Sequence, residues 1–339
     1  MKVLIFSHSF YPIIGGIETV SEVLSASFVE KGHEVILVTS TLETGDKKFP
    51  YEVIRNPGIL ALLKLIKASD VILENNPCVR MSWVNLLVRK PMVTALHTWI
   101  GENPNELSLK ERQKRKWLSL SKKLIACSTA LKNSISPDAI VIGNPYDSER
   151  FKRKPEIKRA KDFIFLGRLV SDKGVSIAIH AFKLYIDNNI APDTTLTIVG
   201  TGAELNNLQR IVEDYGLEKR VIFTGPLQGE ALVNELNKHK YLLVPSLWDE
   251  PFGIVVLEGM ACGCIPIVSD GGGLPEAVGN AGLIFKKGDS HDLYQAMMKI
   301  SRDEGLMKEL RQASASHLEK HKLSTVSSEY LSVLERCVR

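Results

Sequence analysis

Short continuous apolar runs, each ending in a small or polar loop and each followed by a helical stretch, recur along the whole chain of 339 residues. They read Lys2–Phe6, Glu34–Val38, Val71–Leu73, Met92–Leu96, Leu124–Ala126 and Ala139–Ile142, then Phe163–Leu166, Thr195–Val199, Val221–Thr224 and Tyr241–Val244. Runs without polar alternation are strands buried on both faces, which belong in parallel sheets. Strands alternating with helices predict an α/β fold with helices covering both faces of the sheet. Residues 148–161 interrupt the pattern with Lys, Arg and Pro and few apolar groups, which reads as a linker. The expectation is therefore two Rossmann-like, doubly wound parallel-sheet domains, 1–150 and 162–315, joined by 151–161 and followed by C-terminal helices over 316–339.

Ligands of such sheets bind outside the carboxyl ends of the strands, so residues there are the functional candidates. Gly15 and Gly16 follow the first strand and open a helix, where backbone can approach a ligand. The full G-x-G-x-x-G fingerprint is missing, which argues against a hydride-transfer cofactor. His97 follows Met92–Leu96, and Arg168 and Lys173 follow Phe163–Leu166. An ion pair of the latter with Asp172 is the plain reading; neutralising a diphosphate is the functional one. No D-x-D pair occurs in the chain, so no carboxylate pair is in evidence to hold a metal on phosphates. Gly200, and Gly225 with Pro226 and Leu227, close two further strands. The stretch from Glu250 to Glu258 then sets two carboxylates around Phe252, Gly253 and Ile254 at the start of an apolar helix. A helix start leaves backbone amides open to an anion, and a carboxylate accepts both hydroxyls of a vicinal diol.

Apolar content of 44% and charged content of 24% are those of ordinary globular protein. Five cysteines without paired spacing predict neither a zinc site nor disulfides, and reduced cytosolic thiols are expected. Met1–Lys2 runs straight into a strand, so no signal peptide is expected, and no apolar run reaches membrane-spanning length. Residues 1–150 carry 19 Lys and Arg against 15 Asp and Glu, while 151–339 carry 24 of each. Much of the excess falls in 105–124, around an expected helix over 108–121 that holds Lys110, Arg112, Lys114, Arg115 and Lys116 beside Trp117 and Leu118. Such a helix is either a solvated face or an interfacial helix on anionic lipid. It falls short of the basic face with aromatic platforms that nucleic acid needs.

The stretch from Glu250 to Glu258 closely resembles the E-x7-E signature of the retaining, GT-B-fold glycosyltransferases of family 4, the glycosyl transferases group 1. Gly167-Arg168-Leu169 with Lys173-Gly174 is similar to that family's G-R-L-x-x-x-K-G string. Val141–Asp147 resembles its P-N-G-V-D segment, although here Gly143 precedes Asn144 and Pro145 stands where the family has Gly. The resemblance covers nearly the whole chain and implies a deep cleft between two facing domains, with the terminal helices packed back on the first. It implies sugar transfer (EC 2.4) from a UDP- or GDP-sugar to a glycan or lipid-linked glycan acceptor, with retention and without a metal or other cofactor. Cytoplasmic work in bacterial cell-envelope polysaccharide or lipopolysaccharide synthesis, peripheral on the inner face of the membrane, is implied as well. By the same resemblance Arg168 and Lys173 bind the pyrophosphate, Glu258 the ribose diol, Glu250 a hydroxyl of the transferred sugar, and Phe252–Ile254 amides the sugar and phosphate. His97 would contact the donor sugar, Gly15 and Gly16 would line the cleft, and the Gly200 and Gly225–Leu227 loops would receive the base. A nucleotide-sugar epimerase or phosphorylase, and a catalytically silent nucleotide-sugar-binding subunit, are the alternatives.

Overall fold

The computed structural model describes residues 1–13, 15–101, 107–188 and 193–338. Ile14 of the first glycine loop and Glu106 of the charged stretch lie outside them. The chain divides into two compact units, Met1–Pro145 with Lys322–Arg339, and Tyr146–His321.

Unit 1 runs β1 (Lys2–Ser7), α1 (Gly16–Glu30), β2 (Glu34–Thr39), β3 (Glu52–Arg55), α2 (Ile59–Ala68), β4 (Val71–Asn75), α3 (Val79–Ser82) and α4 (Asn85–Val88). It continues with β5 (Met92–Leu96), α5 (Leu109–Leu118), β6 (Lys123–Ala126), α6 (Thr129–Ile135) and β7 (Ile140–Val141). Its sheet has the order β3-β2-β1-β4-β5-β6-β7, parallel throughout the described residues. The strands are apolar on both sides because both are covered. Leu4, Phe6, Ile36, Val38 and Ile72 meet α2, α3 and α5 through Leu62, Ile66, Met81 and Trp117 on one side.

Unit 2 runs β8 (Lys161–Leu166), α7 (Val175–Asn188), β9 (Leu196–Val199), α8 (Leu205–Asp214), β10 (Val221–Gly225), α9 (Gly229–Lys238) and β11 (His239–Val244). Then come α10 (Ile254–Ala261), β12 (Ile265–Ser269), α11 (Leu274–Val278), β13 (Leu283–Phe285), α12 (Ser290–Arg302) and α13 (Glu304–Lys320). The second sheet repeats the plan in the order β10-β9-β8-β11-β12-β13, again parallel. Its core gathers Phe163, Phe182, Tyr185, Tyr241 and Phe285 between sheet and helices.

Two expected boundaries move. Residues 151–161 do not stand apart as a linker, because Arg153 donates to Asn237 Oδ1 at 2.9 Å and Arg159 to the Cys262 carbonyl at 2.8 Å, both in unit 2. The return to unit 1 comes at Lys322 rather than 316, since α13 runs unbroken to Lys320. Only α14 (Leu323–Val338) belongs to unit 1, where it packs on α1 with Ser27 and Ser327 sharing a 2.8 Å hydrogen bond. The five cysteines are free and buried. Among the described residues no helix is long and apolar enough to cross a membrane.

Candidate functional site

In each sheet the strand order reverses direction once, between β1 and β4 and between β8 and β11. That reversal opens a crevice at the carboxyl ends of the strands. In unit 2 the loops there are Gly167–Val170 after β8 and Pro245–Glu250 after β11, which carry Arg168 and Glu250. The neighbouring ends of β9 and β10 come in beside them: Gly200 N–H donates to the Gly225 carbonyl at 2.9 Å. Gly200 has φ of +142°, and a Cβ there would stand 1.9 Å from the Gly167 carbonyl oxygen, so no other residue fits. Bare backbone thus lines this edge of the sheet. Pro226 beyond it is exposed and Leu227 half-buried.

Lys173 ends a 3-10 turn (Ser171–Lys173) after the β8 loop, and its Nζ reaches Glu250 Oε1 at 2.5 Å. Ser246 Oγ donates to the same oxygen at 2.9 Å, and the ammonium also lies 5.1 Å from the Trp248 ring. The Asp172 ion pair of the plain reading is not found among the described residues. Asp172 instead uses its carbonyl to accept from the Leu247 and Trp248 amides, and its Oδ1 is buried with no hydrogen-bond partner among the described residues. Lys173 therefore rests on the carboxylate that the sequence sets 77 residues away. Both side chains are mostly covered, at 17% and 15% exposure, so solvent screens the pair weakly. Arg168 is exposed and makes no hydrogen bond or ion pair among the described residues.

α10 starts where expected. Gly253 is its N-cap at φ +107°, a left-handed conformation only glycine holds cheaply, and a Cβ would strike Leu274 at 2.5 Å. The Phe252, Gly253 and Ile254 amides make no backbone hydrogen bond among the described residues, which leaves them to an anion. The Phe252 ring is in the core, 5.4 Å from the His321 ring, so this residue offers a ligand only its backbone. Glu258 sits deeper in α10, where burial pushes its carboxyl up to about 7, Arg150 pulling it down and Asp147 adding to the rise. The folded state thus holds the proton more tightly than the unfolded one. The resulting cost to stability is absent below the ordinary value of 4.5 and grows to its full size as pH rises through 7.

In unit 1, His97 follows β5 with its ring 7% exposed. Its Nδ1 shares a 2.9 Å hydrogen bond with Asn144 Oδ1, and its amide donates to Asn76 Oδ1 at 2.8 Å. The ring Nε2 is buried with no hydrogen-bond partner among the described residues. Burial lowers the His97 pKa to about 4, so the ring is neutral near pH 7 and Nε2 offers a lone pair when Nδ1 donates to Asn144. Gly16 opens α1 after N-cap Gly15. Gly15 is in extended backbone at φ −168°, and a Cβ there would meet only the Glu18 carboxylate, so unit 1 itself does not demand a glycine.

The basic helix is shorter than expected, and its apolar end turns inward. α5 carries a Ser108–Glu111 capping box, and Trp117 and Leu118 are buried. Trp117 Nε1 donates to both oxygens of the fully buried Glu74, at 3.1 and 3.0 Å. These two side chains are committed to the core and cannot enter lipid. Lys110, Arg112, Lys114 and Lys116 remain exposed.

Ser246, Trp248, Asn144 and Asn76 join the expected residues. None carries a charge that would mark it in sequence, and Asn144 stands out only as part of the Asn-Pro turn that closes unit 1.

The family model described as glycosyl transferases group 1 matches residues 147–317, half of the chain. The chain belongs to the glycosyl transferases group 1 family. Among relatives of this glycosyl transferase, D-inositol 3-phosphate glycosyltransferase from Corynebacterium jeikeium is 32% identical over 54% of the chain and 45% of its own length. The glycogen synthase of Mycobacterium tuberculosis is 30% identical over 63% of the chain and 55% of its own, so the chain spans about half the length of these two. N-acetyl-alpha-D-glucosaminyl L-malate synthase of Bacillus anthracis is 25% identical over 94% of the chain and 93% of its own length. Among solved structures, HepE of Anabaena in complex with UDP aligns at a TM-score of 0.83 with 21% identity, covering 99% of this chain and 100% of that one. The fold is thus GT-B, built of two Rossmann-like parallel-sheet domains.

Proposed function

We propose that this glycosyl transferase moves a sugar from a nucleotide-diphosphate sugar, with UDP or GDP as the nucleotide, to a hydroxyl of a glycan or lipid-linked glycan, with retention of configuration. The observation that carries the reading is the Lys173–Glu250 pair at the switch point of unit 2, where the loop after β8 also presents Arg168, exposed and without a hydrogen bond or ion pair among the described residues. A pyrophosphate arriving there competes with Glu250 for the Lys173 ammonium and takes the Arg168 fork as well. Glu250 is then released to accept a hydroxyl of the transferred sugar. The amides at the start of α10 hold the phosphate, and Glu258 holds the ribose diol. As the anomeric C–O bond breaks, negative charge builds on the departing phosphate oxygen, where Arg168, Lys173 and the α10 amides stabilise it without a metal. The acceptor oxygen bonds to the same face of the anomeric carbon and gives its proton to that phosphate oxygen. His97 Nε2, without a hydrogen-bond partner among the described residues, accepts a hydrogen bond from a sugar hydroxyl.

Purified protein given the correct sugar nucleotide and acceptor releases nucleoside diphosphate, and proton NMR of the first product shows the donor's anomeric configuration. An inverted product contradicts the proposed phosphate-assisted route.

For the acceptor, we propose lipid-linked glycan of the bacterial envelope, reached by peripheral contact at the cytoplasmic face of the membrane. Because Trp117 and Leu118 face inward, that contact is electrostatic, through the exposed cations of α5. Vesicles rich in anionic lipid float the protein at low salt and release it above about 0.5 M salt, where the Debye length falls to a few ångströms. Equal flotation with neutral vesicles contradicts the electrostatic contact.

A further inference from the structure

Unit 2 carries a second gathering of charge at the opposite end of its strands. Arg153, Arg159, Lys240 and Arg311 line a cavity of about 770 Å³ together with Tyr241 and Glu304. Lys240 and Tyr241 open β11, and Gly263 on the same wall follows α10. Arg168, Ser246 and Gly253 sit at the far ends of β8, β11 and α10 respectively. A six-residue strand rises about 20 Å, so the cavity is remote from the donor site.

The charges around the cavity do not balance. Glu304, exposed on α13, is the one carboxylate among the lining residues. Lys240 shares its charge with Asp162 at 2.9 Å. Arg159 caps the end of α10 by donating to the Cys262 and Gly263 carbonyls, and Arg153 is fixed by Asn237 and the Lys154 and Ile157 carbonyls. Those acceptors hold both guanidiniums in place without cancelling their charge. Arg311, exposed on α13, makes no hydrogen bond or ion pair among the described residues. Burial, and then the neighbouring Arg153 and Arg311, draw the Arg159 guanidinium below its ordinary value. Like charges collected at a cavity cost stability until an anion neutralises them, and guanidiniums fixed by their own hydrogen bonds hold their positive charge in place for one.

We propose that this cavity is a binding site for a phosphomonoester dianion, separate from the donor site, with Arg153 and Arg159 as fixed cations and Arg311 and Lys240 supplying further charge. Inorganic phosphate and glucose 6-phosphate are the probes, titrated calorimetrically into the whole protein at constant ionic strength. Arg168→Ala weakens the donor site's pull on phosphate while leaving this cavity intact. The expected result is saturable binding in the wild type that persists one-to-one in Arg168→Ala and is weakened at least tenfold by Arg311→Glu. Because Arg311 has no partner among the described residues to lose, Arg311→Glu folds, and in chloride buffer it melts higher than wild type by relieving repulsion; phosphate closes that gap. Absence of saturable binding overturns the proposal, as does binding unchanged by Arg311→Glu. Binding lost in Arg168→Ala but kept in Arg311→Glu assigns the anion to the donor site and overturns it equally.

Discussion

Replacing Arg168 by alanine lowers turnover about a hundredfold or more while leaving thermal unfolding unchanged. That is the scale on which enzymes lose rate when one preorganised group facing developing charge is removed. The position separates chemistry from stability because Arg168 is exposed and engages nothing among the described residues. Lys173 lacks that advantage. Lys173→Ala strips Glu250 of its 2.5 Å partner and leaves a mostly covered carboxylate unpaired, so lost rate and lost stability arrive together. Steady-state kinetics with a melting curve for each variant checks both statements, and near-normal turnover in Arg168→Ala removes that residue from the site.

The largest effect on stability falls in unit 1, at Glu74. Glu74→Ala lowers the unfolding free energy of that unit by about 3 kcal/mol, because the substitution strands several buried donors at once. Trp117 Nε1, Ser82 Oγ, Thr94 Oγ1 and the Cys78 amide all donate to this carboxylate, which has no exposed surface. Burial raises the Glu74 pKa while those four donors oppose the rise, so the group is tolerated only as long as they surround it. Trp117 belongs to α5, and its loss as an anchor frees the basic helix as well. Urea unfolding with hydrogen exchange across 109–118 measures both consequences; an alanine variant with wild-type stability and unchanged protection of α5 contradicts the reading. Glu74→Gln keeps an acceptor oxygen and falls between the two.

Much of the fold is legible in sequence because its strands are buried on both sides and stay apolar without interruption. β12 escapes that reading: Pro266 inside Ile265–Ser269 has no N–H to give a ladder, and such a run is poorly recognised as a central strand. The helical stretch between Val71–Leu73 and Met92–Leu96 is broken into α3 and α4, with Arg89 after it left-handed at φ +61°. Sheet order is a property of pairing and has no local signature. At the site, Arg168, Lys173, Glu250 and Glu258 can be picked out because charged residues just beyond apolar strands, or inside an apolar helix, are unusual. Their partnership cannot, since Lys173 meets Glu250 across 77 residues and Asp172 beside it offers a nearer but unused carboxylate. The inward turn of Trp117 is hidden for a related reason, because its partner Glu74 lies on another strand. Three separate segments contribute the cations of the second cavity, so no stretch of sequence announces it.

The central claim, a nucleotide-sugar donor site in unit 2, is tested most directly by thermal-shift titration of UDP, GDP, ADP and their sugars at pH 6 and pH 8. One nucleotide and its sugar conjugates raise the midpoint, by the equivalent of about 2.7 kcal/mol at a hundred times the dissociation constant. The sugar conjugate, whose pyrophosphate does not titrate in this range, binds more weakly at pH 6, because Glu258 with its pKa near 7 must shed a proton to accept the ribose hydroxyls. In Glu258→Gln that pH dependence disappears. A protein whose midpoint none of these nucleotides or sugars moves at either pH contradicts the donor site.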